Sequence, residues 1–489
     1  MEFQNYCAIS CASAKRSGDI YMQRIQIAAL FLISTAGLFS QSLSNSSLNG
    51  KYFFRHLMLL TNSAGAATEV RTAYGSITFS GSGAYSYTGS QIIGPGAPAA
   101  FTGNGTYTVK STGYVTLSNP QRSGTDINAG LGQGAIAGAS TETAGVYDLF
   151  IAIQAPAGGQ SNASLNGSYD VSALEFPNAS TAQMRNAAFR LNATGAGGAG
   201  NLTITGKSAN AADRVTVSTV TNATYSITTD GSGTLTLPGV ALLNGVRSVW
   251  VSSDGTLALF GSTSPGGHDL WIGAKSFNGS ATNASFKNLF FRAGLRYEAD
   301  KAGAYSGASN STGSGKLVSS LRVRQPEGVL DLTAANNYFL NADSTGTLEL
   351  GRMALGFSSN SFHTNGVSTV DTNNYELSFA IRAVSPTGTG VFISPQGIVN
   401  AASFAPVGAP LSPGGFFTIF GSGLASATTV ANSLPFPTTL GNTPKTLRKA
   451  REKLLRLVYP RLSPTSLTER PPSNRSSRAR VMRACWKCS

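Results

Sequence analysis

Apolar and polar residues alternate along short stretches of the chain, and Gly-rich turns separate these stretches. In the segment TYSITTDGSGTLTL, Tyr225 and Ile227 alternate with Thr and Ser before a turn, and Leu235 and Leu237 do so after it. A period of two places one set of side chains on one face of a strand, and Asp230–Gly231 supplies the positive φ of a tight hairpin. The segment ITFSGSGAYSY repeats this pattern, and helical periodicity is scarce before residue 440. The chain is therefore predicted to be all-β and antiparallel.

Several sequence markers recur about every 118 residues, which is the signature of tandem units. SLNGKY begins at Ser47 and SLNGSY at Ser164, and the tripeptide FFR begins at Phe53 and again at Phe290. A second marker carries a leading tyrosine in each unit, at Tyr107, Tyr225 and Tyr338. A third marker reads YDLFIAI, HDLWIGA and YELSFAI, beginning at Tyr147, His268 and Tyr375. We predict three antiparallel β-sandwich or β-barrel repeats, covering residues 45–160, 161–280 and 281–392.

Charge is sparse and unevenly placed. Charged residues make up 12% of the chain, about half of the ~25% in ordinary soluble domains, which excludes a long coiled coil and a charged disordered chain. The net charge is +14. The tail 442–489 has 13 basic and 2 acidic residues, a net charge of +11, whereas residues 42–441 have 20 basic and 18 acidic ones, a net charge of +2. The nearly neutral body gives no reason to expect nucleic acid as a partner. The four cysteines, at positions 7, 11, 485 and 488, leave the body without a disulfide framework or a thiolate metal site.

The N-terminal region is predicted to direct export. The apolar stretch 25–39, IQIAALFLISTAGLF, follows Arg24 and is short for a membrane span. A basic residue, an apolar segment of this length and small or polar residues after it are typical of a Sec-type signal peptide. We predict that residues 1–41 comprise an extension and a signal peptide, that Met22 is the true start, and that cleavage falls near Ser40–Gln41. An uncleaved membrane anchor is the alternative.

The segment after Gly397 carries three ordered motifs. These are the NAASF opening at Asn400–Phe404, the core PGGFFTIFGSGL at Pro413–Leu424, and LPFPTTLG at Leu434–Gly441. The segment resembles a C-terminal domain of unknown function found on secreted proteins of Acidobacteria such as Solibacter, and its core is similar to the Ig-like domains called IPT/TIG. The resemblance implies export and a β-sandwich module, here partial and covering 393–441. It implies no activity.

The tail 442–489 departs from that family, which continues with V-T-V-N-G strands and a Y-V-S-P motif. The chain instead reads PKTLRKAREKLLRL and becomes Arg-rich. We interpret the tail as frameshifted or disordered. The alternative is a basic amphipathic helix with Leu447, Ala450, Leu454 and Val458 on one face, suited to acidic lipid or polyanions. The CxxC spacing of Cys485 and Cys488 is a weak redox or metal signal by itself.

Few residues carry recognisable chemistry. His56, His268 and His363 lie in separate repeats, without metalloprotease spacing. His268 precedes Asp269 and could act as a general base, although a turn before a strand is the preferred interpretation. The TGSGK at Thr312–Lys316 lacks the first glycine of a phosphate loop, and a strand pattern follows it. We therefore predict no catalytic, cofactor-binding or metal-ligating residues, no cofactor and no enzymatic activity.

The remaining candidates are aromatic. Tyr85, Tyr87, Tyr107 and Tyr114 could form a stacking platform for sugars, although filling of the core is the preferred interpretation. We predict an exported, non-enzymatic β-repeat protein of the cell surface or extracellular space with a structural or adhesive function. Its partner would be a surface polymer, a polysaccharide or another cell-surface component, and it would meet the membrane only through the signal segment. The alternative function is a chain of carbohydrate-binding modules that uses surface tyrosines.

Overall fold

The computed structural model describes residues 43–239 and 242–384, together with the backbone of two further strands, Phe392–Asn400 and Phe417–Ser422. The described residues are all-β, and their helical structure is confined to five one-turn 3₁₀ helices. They form three closed barrels in tandem, each with eight antiparallel strands. The all-β tandem prediction is confirmed, and the choice between sandwich and barrel is resolved in favour of barrels. None of the described helices is long and apolar enough to cross a membrane.

Barrel 1 follows a one-turn 3₁₀ helix at Asn45–Ser47 and closes by pairing its first strand with its last. Its strands are β1 (Asn49–Thr61), β2 (Ala67–Ser80), β3 (Ala84–Ile93), β4 (Ala99–Val109), β5 (Tyr114–Ser118), β6 (Asp126–Leu131), β7 (Ala135–Ala139) and β8 (Val146–Gln154). Each strand pairs with its chain neighbour, so the connections are hairpins or short loops.

Barrel 2 repeats the arrangement after the 3₁₀ helix at Asn162–Ser164. Further one-turn helices lie at Thr181–Gln183 and Ala209–Ala211. Its strands are β9 (Asn166–Pro177), β10 (Arg185–Thr194), β11 (Gly198–Ser208), β12 (Thr216–Ile227), β13 (Ser232–Leu237), β14 (Gly245–Val251), β15 (Leu257–Gly261) and β16 (Gly267–Lys275). The predicted Asp230–Gly231 turn joins β12 to β13, and Gly231 has a φ of +87°.

Barrel 3 follows the 3₁₀ helix at Asn283–Ser285. Its strands are β17 (Lys287–Glu298), β18 (Lys301–Thr312), β19 (Lys316–Gln325), β20 (Gly328–Leu340), β21 (Thr345–Leu348), β22 (Met353–Phe357), β23 (Ser361–Asn365) and β24 (Asn374–Arg382). After the barrels, β25 (Phe392–Asn400) and β26 (Phe417–Ser422) pair antiparallel. The predicted signal segment, the greater part of the predicted IPT/TIG-like module, the basic tail and all four cysteines lie outside the described residues.

The sequence markers fall on equivalent strands, with one exception. The Tyr147, His268 and Tyr375 motifs lie in the last strand of each barrel. The FFR repeat, however, is shifted by one residue. Arg55 lies on the outer side of barrel 1 against barrel 2, whereas Arg292 lies inside barrel 3 beside the Phe362 ring. A shift of one residue reverses the face of a strand, so these two arginines are not equivalent.

One end of every barrel is closed by the same polar device, an asparagine and a tyrosine. Tyr225 donates a hydrogen bond to the carbonyl of Leu165 at 2.7 Å, and Asn162 Oδ1 accepts one from the Ile227 amide at 2.7 Å. The same bonds recur for the other two pairs, Asn45 with Tyr107 and Asn283 with Tyr338. Each 3₁₀ helix is thereby fixed over the barrel end, which explains why the tyrosine marker is periodic.

The three barrels pack around one shared hydrophobic core. Along β1, Tyr52 and Phe54 point into barrel 1, whereas the alternate residues Phe53 and Leu57 point out of it. The outward residues join those of the first and last strands of the other barrels. Members of this cluster include Leu149, Ile151, Phe176, Leu270, Phe291, Tyr297 and Phe379. These strands are therefore buried on both faces, as their nearly continuous apolar sequences require.

Candidate functional site

His56 lies inside barrel 1 in a buried polar cluster. Its Nε2 is 3.0 Å from Asp148 Oδ2, and Ser140 donates to the same oxygen at 2.8 Å. Asn119 donates a third hydrogen bond to Asp148 Oδ2, at 2.9 Å. The carboxylate lies between serine and histidine, so the histidine is not placed to take the serine proton. All four groups are buried, and the arrangement serves the interior of the barrel.

The acid at this position recurs in each last strand, as Asp148, Asp269 and Glu376. Glu376 accepts a hydrogen bond from the Tyr305 hydroxyl inside barrel 3. Asp269 receives an arginine from another barrel: Arg55 pairs with the carboxylate and donates to the Ser262 carbonyl at 2.9 Å. Burial lowers the pKa of the Arg55 guanidinium, and the charge of Asp269 opposes that shift. In each barrel, the acid is thus bound by buried protein groups.

His268 also joins barrels 1 and 2. Its Nε2 donates to the Gly94 carbonyl at 2.6 Å, and its Nδ1 lies 3.1 Å from Thr72 Oγ1. Burial lowers the pKa of His268. The prediction that His268 occupies the turn before a strand is wrong, because it is the second residue of β16. The contacts of His268 thus serve the packing between barrels 1 and 2.

His363 joins barrels 2 and 3, with its Nδ1 2.7 Å from Ser172 Oγ. Burial lowers the pKa of His363 to about 4, so the ring is neutral near pH 7. The third sequence candidate, TGSGK, is the hairpin between β18 and β19, in agreement with the strand predicted after it. Among the described residues, no group of three His, Cys, Asp or Glu side chains could hold a metal ion.

The four candidate tyrosines do not form one platform. Tyr85 and Tyr107 are buried within barrel 1, as the core interpretation predicts. Tyr87 is half-buried against Phe101, with ring centroids 4.7 Å apart. Tyr114 is separate from the other three and contacts Phe291 of barrel 3 edge-on, at 5.1 Å. Of these four tyrosines, Tyr114 is the one that contacts a second barrel.

A cleft of about 290 Å³ opens beside Tyr114, between barrels 1 and 3. Strands β5 and β6 form one wall, and the outer face of β18, β19 and β20 forms the other. The lining residues are Lys110, Tyr114, Val115, Thr116, Asn128, Ala129, Glu142, Ser306, Gly307, Ser320, Arg322 and Asp331. This volume lies just below the range for small-ligand sites, about 300–1,000 Å³. We refer to it as the interbarrel cleft.

An ion-pair network spans the interbarrel cleft. Arg322 of barrel 3 binds both carboxylate oxygens of Glu142 in barrel 1, at 2.9 and 3.0 Å, and reaches Asp331 at 3.0 Å. The hydrogen bonds with Glu142 raise the pKa of Arg322, and those with Arg322 lower the pKa of Glu142. With Lys110 included, the two cations and two anions of the lining balance. The site is thus polar but formally neutral.

The aromatic end of the interbarrel cleft is built by close approach. Phe291 packs over Gly130 so tightly that a Cβ added there would lie 2.1 Å from its ring. Burial raises the pKa of Tyr114, beside the same ring, to about 12, so its hydroxyl stays protonated and can donate. The cleft therefore combines a fixed aromatic ring with paired planar charges.

Sequence reasoning singled out Tyr114 but missed Glu142, Arg322 and Asp331. The ion pair between Glu142 and Arg322 joins residues 180 positions apart, in different repeats. Neither residue stands in a motif, and each unit alone contains half of the site. Only the packing of barrel 1 against barrel 3 brings them together, and no local pattern signals that packing.

No protein-family model and no curated protein matches the chain. Among solved structures, it is similar to a protein of unknown function of the DUF3598 family from Nostoc punctiforme, at 10% identity and TM-score 0.16, over 45% of this chain and 97% of that one. It is also similar to transferrin-binding protein B from Neisseria meningitidis, at 10% identity and TM-score 0.21, over 69% and 77% of the two chains. Likenesses this weak carry no functional argument.

Proposed function

We propose that the chain is an exported, non-enzymatic three-barrel protein of the cell surface or extracellular space that acts by adhesion. Its partner is a polysaccharide or another surface polymer, which it contacts through the interbarrel cleft. The barrels would act as one rigid body, because their outer faces share a core. In this proposal the segment 25–39 is a Sec-type signal, and residues 393–441 are a partial module of the IPT/TIG type.

The observation that carries the proposal is the composition of the interbarrel cleft. The partly buried Tyr114 lies beside Asn128 and Thr116, and the charges of Lys110 and Arg322 balance those of Glu142 and Asp331. Sugars present a C–H face that packs on an aromatic ring and hydroxyl pairs that hydrogen-bond to planar amide, carboxylate and guanidinium groups. The neutral lining favours a neutral saccharide over a polyanion.

The burial of the candidate acid and base side chains supports a non-enzymatic function. The carboxylates Asp148 and Asp269 are buried and hold the barrel interior or the contact between barrels. His268 and His363 are buried between barrels, where substrate would have to displace packing. In an acid–base enzyme, such groups would face a cleft within reach of a substrate proton.

Glycan binding tests this proposal directly. We expect the purified protein to bind a neutral oligosaccharide from a broad panel saturably, measured by calorimetry. Ser320→Trp places a large side chain in the cleft and should weaken binding at least 10-fold, as should Tyr114→Ala, which removes the aromatic ring. Ser86→Trp, at an exposed position of β3 outside the lining, is the matched control and should bind normally.

Two results would contradict the proposal. The first is that no member of the panel binds. The second is binding that neither Ser320→Trp nor Tyr114→Ala weakens. Circular dichroism of each variant distinguishes loss of the site from loss of the fold.

A further inference from the structure

In each barrel the fourth strand is longer than the fifth strand, with which it pairs. β20 pairs with β19 over Gly328–Asn337 but with β21 only at Tyr338–Leu340. The next backbone bond on that side is from the Glu349 amide to the Asn337 carbonyl, at 2.9 Å. Within residues 43–239 and 242–384, the outer edge of Gly328–Ala335 has no backbone partner. We call these residues the β20 edge.

Barrel 1 covers its equivalent edge, on β4. The connection between β5 and β6 spans seven residues, 119–125, and lies beside it. Tyr87 stacks on Phe101 of β4 and donates to the Pro120 carbonyl at 3.4 Å, and the Thr106 amide bonds to Ser118 Oγ at 2.9 Å. Side chains and a loop thus cover the inner face of β4 beyond the residues that pair with β5.

Barrel 2 also has a seven-residue connection at this place, 238–244, and Leu243 from it is buried in the barrel core. In barrel 3 the corresponding connection is shortened to four residues, 349–352. Its Leu350 is 81% exposed and covers nothing comparable. Among the described residues, barrel 3 thus has the shortest of the three connections at this place, and that connection contributes no buried side chain.

The uncovered strand is apolar on one face. Leu330 and Leu332 are 39% and 43% exposed. They lie opposite Val323 and Leu321 of β19, which form a small buried cluster with Tyr305. Asp331, between the two leucines, points to the other face and pairs with Arg322. A long edge with exposed leucines is a template for another strand, which soluble proteins usually avoid.

We propose that the β20 edge is a dimerisation site at which β20 of a second copy adds antiparallel across a two-fold axis. This proposal is independent of glycan binding in the interbarrel cleft, because the leucines and the cleft lie on opposite faces of β20. Eight residues span about 26 Å at ~3.3 Å per residue, so the pairing would join the two sheets along a full strand.

The edge is self-complementary when Leu332 sits on the two-fold axis. Leu332 then faces its own copy, Leu330 faces Ala334, and Val329 faces Ala335. Asp331 faces Thr333, so no like charges stand directly opposite one another, and each Asp331 keeps Arg322 as its partner. A two-fold axis of this kind makes a closed dimer and leaves no edge for further growth.

Sedimentation of the full chain tests the dimer. We expect the wild-type chain to sediment as a dimer at concentrations of about 1–100 µM, the range of a weak specific contact. Leu332→Lys places two ammonium groups opposite each other and should raise the dimer dissociation constant at least 10-fold. Val370→Lys, a loop residue that is 67% exposed in the same barrel, is the matched control and should leave it unchanged.

A cross-linking experiment keeps the test sharp if Leu332→Lys fails to fold. In a chain with the four native cysteines changed to serine, Leu332→Cys should give a covalent dimer with a short bismaleimide, and Val370→Cys should not. The proposal is overturned if wild type is monomeric throughout the range, if Leu332→Lys dimerises like wild type, or if the two cysteine variants cross-link equally. Glycan binding by Leu332→Lys should stay normal, so failure here leaves the interbarrel cleft untouched.

Discussion

The contact between Arg55 and Asp269 is a fully buried polar interaction between two barrels, and breaking it should be costly. Arg55 extends from barrel 1 into barrel 2 and is fully buried. It donates to the carbonyls of Asp269 and Ser262, at 2.6 and 2.9 Å, and pairs with the Asp269 carboxylate. Its guanidinium occupies the space over Gly261, where an added Cβ would lie 1.9 Å from Cζ. We predict that Arg55→Met weakens the union of the two barrels.

The expected loss of stability depends on the partners that Asp269 retains when Arg55 is replaced. Removing one partner of a buried ion pair usually costs about 3–5 kcal/mol, because the other charge remains buried. Asp269 retains Arg247, at 3.0 Å, and the Ser262 amide, at 2.8 Å. The cost of Arg55→Met should therefore lie near the lower end, about 3 kcal/mol. Arg352→Met, which removes an exposed ion pair with Asp371, is the control and should cost at most ~1 kcal/mol.

Urea unfolding followed by tryptophan emission measures this difference. Trp250 of barrel 2 lies 5.8 Å from the ring of Tyr74 in barrel 1, so its emission reports on the contact between these barrels. The double variant Arg55→Met with Asp269→Asn should cost less than the sum of the two single changes, because the pair is coupled. Gly261→Ala should resemble Arg55→Met, since it displaces the same guanidinium.

The reasoning is refuted if Arg55→Met costs no more than Arg352→Met. Additive single and double variants would also refute it, because additivity is typical of groups that do not interact. An early loss of Trp250 signal with barrel 2 otherwise intact would support it and would identify the contact between barrels as the first to open.

Two further predictions concern buried groups in barrels 2 and 3. The pKa of His363 is about 4 in the folded chain and about 6.5 in the unfolded chain. Between these pH values the unfolded chain binds a proton that the folded chain does not. The free energy of unfolding should therefore fall by up to about 3 kcal/mol as the pH drops from 6.5 to 4. His363→Gln should remove that part of the slope in urea titrations at several pH values; an unchanged slope would contradict the assignment. Tyr225→Phe removes a hydroxyl that bonds Leu165 O and the Gly195 amide, both at 2.7 Å, and should cost about 1–3 kcal/mol, whereas Tyr87→Phe, with a 3.4 Å bond, should cost far less by thermal unfolding.

Local sequence pattern was sufficient to predict the strands and the repeat. The alternation around Asp230–Gly231 predicts the hairpin that the structure contains, because a period of two and a positive φ are properties of a few neighbouring residues. The periodic Tyr107, Tyr225 and Tyr338 are a sequence marker of the closed barrel end, where each hydroxyl donates to a backbone carbonyl. Closure into barrels needed the pairing of first and last strands, which the pattern does not specify.

The candidate site was less predictable because it is made by packing between repeats. Tyr114 had a visible aromatic signal, yet its partner Phe291 belongs to another barrel. Because Tyr147 takes the same place in the first unit, the sequence predicts a turn at His268, but the contacts of His268 are with Gly94 and Thr72 of barrel 1. Local periodicity does not report contacts between distant segments. Even the arginines of the shared FFR tripeptide, Arg55 and Arg292, lie on opposite faces of their strands.

The closure of each barrel by its first and last strands dictates an order of events during synthesis. Tyr52 pairs with Gln154, so barrel 1 can close only after about a hundred further residues have been made. Even then, the outer faces of β1 and β8 wait for barrels 2 and 3 to complete the shared core. A growing chain therefore exposes these apolar faces until the last barrel has folded, and exposed apolar surface of this kind favours aggregation.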